Sequence, residues 1–188
     1  MKTYSIKVTL RGVSPMIWRR IRIAGNASLV SLQAIIRVAQ DYDEDPLHQF
    51  RIYAKDYEIF GNQCVDRSDN LCHAVIDDFK FNVGDRFIYT SFTELEIGFM
   101  RNRLYDIRIE SIEEQSLRKK LPFCIGGDGM PGVRKYEYTL KMLDVLKIIV
   151  DEKDTTTTVG EVRRQINALD ALRLNRKKVN KTLTEYQP

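Results

Sequence analysis

Polar and apolar residues alternate from the start of the chain, with Tyr4, Ile6, Val8 and Leu10 separated by Ser5, Lys7 and Thr9. A period of two lines one face of a strand with the apolar set. Gly12, Ser14 and Pro15 supply turn chemistry. The alternation then resumes at Ile17, Arg19, Ile21 and Ile23, with Trp18, Arg20 and Arg22 on the other face. Two such runs around a short turn predict an antiparallel hairpin. Gly25 and Asn26 end it, and Ser28 is suited to cap a helix. Leu29, Leu32, Ile35, Ile36 and Ala39 follow at helical spacing. That helix ends in the acidic run of Asp41, Asp43, Glu44 and Asp45, closed by Pro46.

Strand character returns over residues 47–54 and, more briefly, 57–60, and the polar residues 61–70 read as an exposed loop. Asn82, Val83, Gly84 and Asp85 form a turn that launches a strand through Phe87, Tyr89 and Ser91. Residues 104–112 are another strand, and residues 94–103 are compatible with one. The order β-β-α-β-(β)-β-(β)-β predicts an α+β fold: a mostly antiparallel sheet wrapped on one helix, a β-grasp-like half-barrel, with C-terminal helices. Residues 1–115 form the sheet domain. Residues 116–188 form a glycine-rich loop and a helical segment packed on it as one structural unit. Within that segment residues 121–133 read as a loop, and Leu140, Leu143 and Leu146 line one helix. Val162, Ile166 and Leu169 line a second, and Asn175 caps a short basic third through Val179 and Leu183.

The run Leu10-Arg11-Gly12-Val13-Ser14-Pro15-Met16-Ile17-Trp18-Arg19-Arg20, then a capped helix and Leu47-His48-Gln49-Phe50, resembles the plasmid pRi ORF-three-like family. Gly84-Asp85-Arg86-Phe87-Ile88-Tyr89, Cys124-Ile125-Gly126-Gly127 and the basic segment from Asn175 to Leu183 are similar to later parts of the same pattern. The resemblance implies an α+β domain in a mobile-element setting, as a passenger of insertion-sequence elements under a TnpR-like name. The chain departs from the pattern after Tyr89, where Ser91 to Phe99 contains no Trp or His, and after Gly127, where further cysteines are replaced by Asp128-Gly129-Met130-Pro131.

Composition narrows the classes further. A length of 188 residues with 43% hydrophobic and 30% charged residues fits one globular unit. No window approaches the roughly 18 consecutive apolar residues of a membrane span. Cys64, Cys72 and Cys124 are too few, and odd in number, for a disulfide framework, so a cytoplasmic location is expected. The formal net charge of +4 is unevenly placed. Residues 1–115 carry 15 Lys/Arg against 17 Asp/Glu, a net of −2, whereas residues 116–188 carry 15 against 9, a net of +6. The excess includes Arg173, Arg176, Lys177, Lys178 and Lys181, a set suited to phosphates.

No catalytic set is expected. His48 and His73 are the only histidines, no Gly-x-Ser-x-Gly elbow occurs, and Gly126-Gly127-Asp128-Gly129 lacks the Lys and Ser/Thr of a P-loop. Its glycines read as permitting positive φ in an ordered loop. Cys64, Cys72 and His73 lack zinc-ligand spacing, and the acids at 41–45 lack the calcium-loop pattern, so no metal and no cofactor is expected. The candidate binding residues are Trp18, Arg20, Arg22, His48, Arg176, Lys177 and Lys178. The expected function is a non-enzymatic mobile-element binding module, meeting nucleic acid or a protein partner through the basic C-terminal segment. The alternative is an enzyme with a site near His48 and the Gly126-Gly127 loop.

Overall fold

The computed structural model describes residues 2–14, 16–40, 47–60, 63–64, 74–94, 100–114, 120–129 and 174–185. The chain folds as α+β, and among the described residues it has a mostly antiparallel sheet and two α-helices. The strands are β1 (Thr3–Leu10), β2 (Trp18–Ala24), β3 (Leu47–Ile52), β4 (Lys55–Phe60), β5 (Gln63–Cys64), β6 (Arg86–Glu94), β7 (Met100–Glu113) and β8 (Phe123–Asp128). Among the described residues these form one eight-stranded sheet of order β5-β4-β3-β6-β7-β1-β2-β8. Helix α1 is Leu29–Gln40, and helix α2 is Arg176–Glu185.

The predicted first hairpin forms, with Thr9 opposite Trp18 and Thr3 opposite Ala24. Gly12 supplies a positive φ of 68° in its turn. Tyr4, Ile6, Val8, Leu10, Ile17, Ile21 and Ile23 all point into the core, as the alternation requires. The Ser28 hydroxyl accepts the Ser31 N–H at 3.1 Å and starts α1. Nine of the twelve α1 residues are buried, including the polar Gln33 and Gln40. Aromatic side chains fill the part of the same core under β3 and β6. Phe50 lies 4.8 Å from Tyr89, and Phe81 stacks on Phe87 at 5.1 Å, centroid to centroid. The Asn82 to Asp85 turn also forms, closed by the Asp85 N–H on the Asn82 carbonyl at 3.1 Å, with Gly84 at φ +98°.

Two local features differ from the sequence reading. Residues 100–113 form one 14-residue strand, β7, longer than the 104–112 expected. The glycine-rich segment is not a loop through Asp128: Phe123–Asp128 is strand β8, paired with β2. Glycines hide the alternation that marks a strand, and here they serve close approach. A Cβ on Gly127 would lie 2.6 Å from the Trp18 carbonyl oxygen and 2.7 Å from the Leu174 side chain. Only Gly129, at φ +84°, fits the expectation of a positive backbone angle.

Asn175 caps α2 as expected, its side-chain oxygen accepting the Lys178 N–H at 3.0 Å. Val179 and Leu183, one turn apart, anchor the helix in the core. The side-chain amide of Asn180 then meets β8: its oxygen accepts the Cys124 N–H at 2.7 Å, and its nitrogen donates to the Cys124 carbonyl at 3.0 Å. The helices expected around residues 140–150 and 162–169, the acidic run at 41–45, Cys72 and His73 lie outside the described residues, as does the Cys64 side chain.

Candidate functional site

The strand period puts consecutive residues of β2 on opposite faces, so three positions of the Trp18 to Arg22 run face outward and two inward. Outward are Trp18, Arg20 and Arg22. The Arg20 guanidinium pairs with both oxygens of Glu110, the second at 3.0 Å, and Arg22 meets Glu113 at 2.7 Å. Both acids stand on β7, so these ion pairs span β1 on the outward face, beside the buried hydroxyl residues Thr3 and Ser5. Glu110 reaches this position because it is the extra residue of a bulge, where Ser5 pairs with Ser111 and Ile6 with Ile109. The hydrogen bond from Arg20, with the nearby charges of Lys7 and Arg108, holds its carboxyl below the usual range.

The Trp18 ring is half-buried beside β8, near Gly126. Lys7 Nζ stands 4.8 Å from its centroid and the Arg20 guanidinium 5.2 Å, both within cation–π range. Inward from the same strand, Arg19 has no exposed surface. Its N–H groups donate to four backbone carbonyls: Ala39 at 3.0 Å, Trp18 at 2.8 Å, Asp128 at 2.7 Å and Gly129 at 3.3 Å. The Ala39 oxygen belongs to the last turn of α1, where orphan carbonyls and the negative end of the helix dipole favour a cation. Arg19 therefore ties the end of α1 to the end of β8.

His48 is likewise fully buried. Its Nε2 lies 2.9 Å from the Gln33 amide nitrogen on α1, and its Nδ1 lies 2.9 Å from the Tyr89 hydroxyl on β6. The Gln33 amide oxygen is buried without a hydrogen-bond partner among the described residues. His48 and the Gly126-Gly127 pair are not brought together, because β6, β7, β1 and β2 lie between their strands. Cys124 is buried, and that burial raises its thiol pKa, the opposite of an activated nucleophile.

The basic residues of α2 form a third group. Arg176, Lys177, Lys178 and Lys181 are exposed while Val179 and Leu183 face inward. Arg176 also donates to the Ile125 carbonyl at 3.1 Å, and Ile125 is the bulged residue of β8 between the pairs Arg20–Gly126 and Ile21–Cys124. The outward β2 residues and the basic helix are thus both joined to β8, and His48 stands apart from them. Among the described residues, no cluster of three His, Cys, Asp or Glu side chains could hold a metal ion.

A family model described as plasmid pRiA4b ORF-3-like protein matches residues 2–172. The chain belongs to that family. No curated relative matches it. Among solved structures, it is similar to the protein of unknown function MM3350 from Methanosarcina mazei Go1. The identity is 21%, with 86% of this chain and 88% of that one covered at a TM-score of 0.57, a likeness of fold. The family match reaches from β1 across the sheet and β8 and stops before α2, so the basic helix lies outside the matched span.

Sequence reasoning singled out Trp18, Arg20, Arg22 and His48 but gave no role to Arg19, Gln33, Tyr89, Glu110 or Asn180. For Arg19 a signal existed, since it occupies an inward phase of the β2 alternation. For the others the role depends on partners distant in sequence.

Proposed function

We propose that this family member is a non-enzymatic binding module for nucleic acid, met through the basic helix α2. The observation that carries the reading is the division of labour on that helix. Val179, Leu183 and Asn180 attach it to the core and to β8, while Arg176, Lys177, Lys178 and Lys181 stay exposed, Arg176 also holding the Ile125 carbonyl and Lys181 lying 4.0 Å from Glu185. Such a fixed cationic face suits a polyanion, whose counterions are released on contact. The mobile-element setting and the cytoplasmic location belong to the same proposal. Among the described residues, no helix is long and apolar enough to cross a membrane. The half-barrel also belongs to it: burial of nine of twelve α1 residues supports a sheet that curls around that helix.

The enzymatic alternative has less to rest on. His48 is sealed in the core against Gln33 and Tyr89, and four strands separate its strand from that of Gly126 and Gly127. The test is a fluorescence-anisotropy titration with labelled DNA and RNA at low salt. Micromolar binding is expected, abolished in Arg176→Glu/Lys177→Glu/Lys178→Glu. Binding that survives charge reversal removes α2 from the reading. Binding to an acidic protein but to no nucleic acid replaces the nucleic acid with a protein partner.

A further inference from the structure

We infer that a row of cations across the outer face of the sheet, Arg20, Lys7, Arg108 and Arg86, is a track for single-stranded nucleic acid, with Trp18 at its side to stack a base. The strand register places the row. Arg20 of β2 lies opposite Lys7 of β1, Lys7 opposite Arg108 of β7, and Arg108 opposite Arg86 of β6. Each has inward-facing core neighbours on its own strand: Ile21, Ile6 and Val8, Ile107 and Ile109, and Phe87. All four side chains therefore project from the same face. Four adjacent strands at about 4.8 Å spacing make a row on the order of 15 Å long.

Like charges directly opposite one another on neighbouring strands oppose folding, so such a row stands out against the rest of this face. Arg11 is matched by Asp106 at 2.7 Å and Arg22 by Glu113 at 2.7 Å. In the row, one carboxylate, Glu110, serves four cations, and its hydrogen bonds go to Arg20. Among the described residues, the side chains of Arg86 and Arg108 make neither a hydrogen bond nor an ion pair, and both are exposed. The uncompensated charge is thus confined to one line rather than spread over the sheet, and a line of charge complements the backbone of an extended strand.

Trp18 selects the single strand. Its ring shares the face of the row and is covered by Lys7 and Arg20, the two cations nearest it. When those cations turn to phosphates, the ring face is uncovered for an unpaired base, a stacking mode common to proteins that bind single strands. A duplex keeps its base faces covered and gains nothing from the ring. The row runs toward Gly126 of β8, opposite Arg20, and the adjoining Ile125 carbonyl is held by Arg176 of α2. The inference rests on the nucleic-acid reading above and assigns it a second surface and a strand state.

Trp18 is the one tryptophan of the chain, so its emission reports on this face alone. The full chain is titrated with fluorescein-labelled oligothymidylate and with a duplex of equal length, and Trp18 emission is followed with unlabelled strands. Oligothymidylate is expected to bind more tightly than duplex and to quench Trp18. Lys7→Gln/Arg86→Gln/Arg108→Gln is expected to weaken binding at least about tenfold at low salt and to flatten the salt dependence by about 2 in log–log slope. Its melting temperature should not fall, since like charges have been removed. Arg108→Gln alone, at an exposed and unpaired side chain, should flatten the slope by about 0.7. Oligothymidylate binding with unchanged Trp18 emission and an unchanged slope in both variants overturns the track and leaves α2 as the binding surface. Tighter binding of duplex overturns the strand preference. Failure of both nucleic acids to bind at low salt removes the underlying reading together with this one.

Discussion

On the inner face of β2, Arg19 has no exposed surface and gives its N–H groups to the carbonyls of Ala39, Trp18, Asp128 and Gly129. One residue later, on the outer face, Arg20 lies partly in solvent and grips the carboxylate of Glu110. The same side chain is met by fixed backbone dipoles in the first case and by a titratable charge under water in the second. The inner contacts join α1, β2 and β8, so they carry architecture. The outer contacts join side chains that solvent and salt can replace. Position on the strand, rather than residue type, decides what an arginine does here.

The largest effect is expected from contrasting the two directly. Arg19→Met leaves the buried Ala39 carbonyl and three part-buried ones without that donor and should cost about 3–5 kcal/mol by urea unfolding, whereas Arg20→Met should cost less than about 1 kcal/mol. Equal losses would break the distinction between the faces. Next comes the other inner-face network: Tyr89→Phe strips the hydroxyl from His48 Nδ1 and should cost about 1–3 kcal/mol, with little dependence on salt.

On the outer face, Glu110→Gln should cost less than about 1 kcal/mol near neutral pH. The Glu110 carboxyl is held below its ordinary pKa by Arg20, so its contribution is present above the ordinary carboxylate range and is lost as pH falls through the lowered value. The gap between wild type and Glu110→Gln should therefore close at acid pH. A gap that widens there would place Glu110 in a different environment. The smallest effect belongs to Arg22→Gln, a few tenths of a kcal/mol that should vanish in high salt.

Much of the fold could be read from the chain alone because its signals are local. The alternation of Tyr4, Ile6, Val8 and Leu10 fixed the inward face of β1, and Ser28 and Asn175 cap the helices they precede. The same alternation put Arg19 in the core phase. What stayed hidden depends on register or on close approach. Nothing near Lys7 says that Arg108, a hundred residues on, will stand beside it, since that requires the β1–β7 pairing. The strand nature of Phe123–Asp128 was masked by glycines, and the reason for Gly127 lies in the Trp18 carbonyl and the Leu174 side chain. His48 was singled out for chemistry because it is rare in the chain, and only the positions of Gln33 and Tyr89 turn it into a core residue.

Among the described residues strand β8 is the last of the sheet, and an open strand edge invites another chain to continue the ladder. The Asn180 amide, with one acceptor and one donor spaced like a peptide group, occupies that place at Cys124. A single side chain thus acts as a terminator of strand-by-strand growth, and α2 is the handle that holds it there. Asn180→Leu would keep the helix and its apolar anchors but return a bare rung to solution. Slow, concentration-dependent self-association, followed by light scattering, is the consequence to expect.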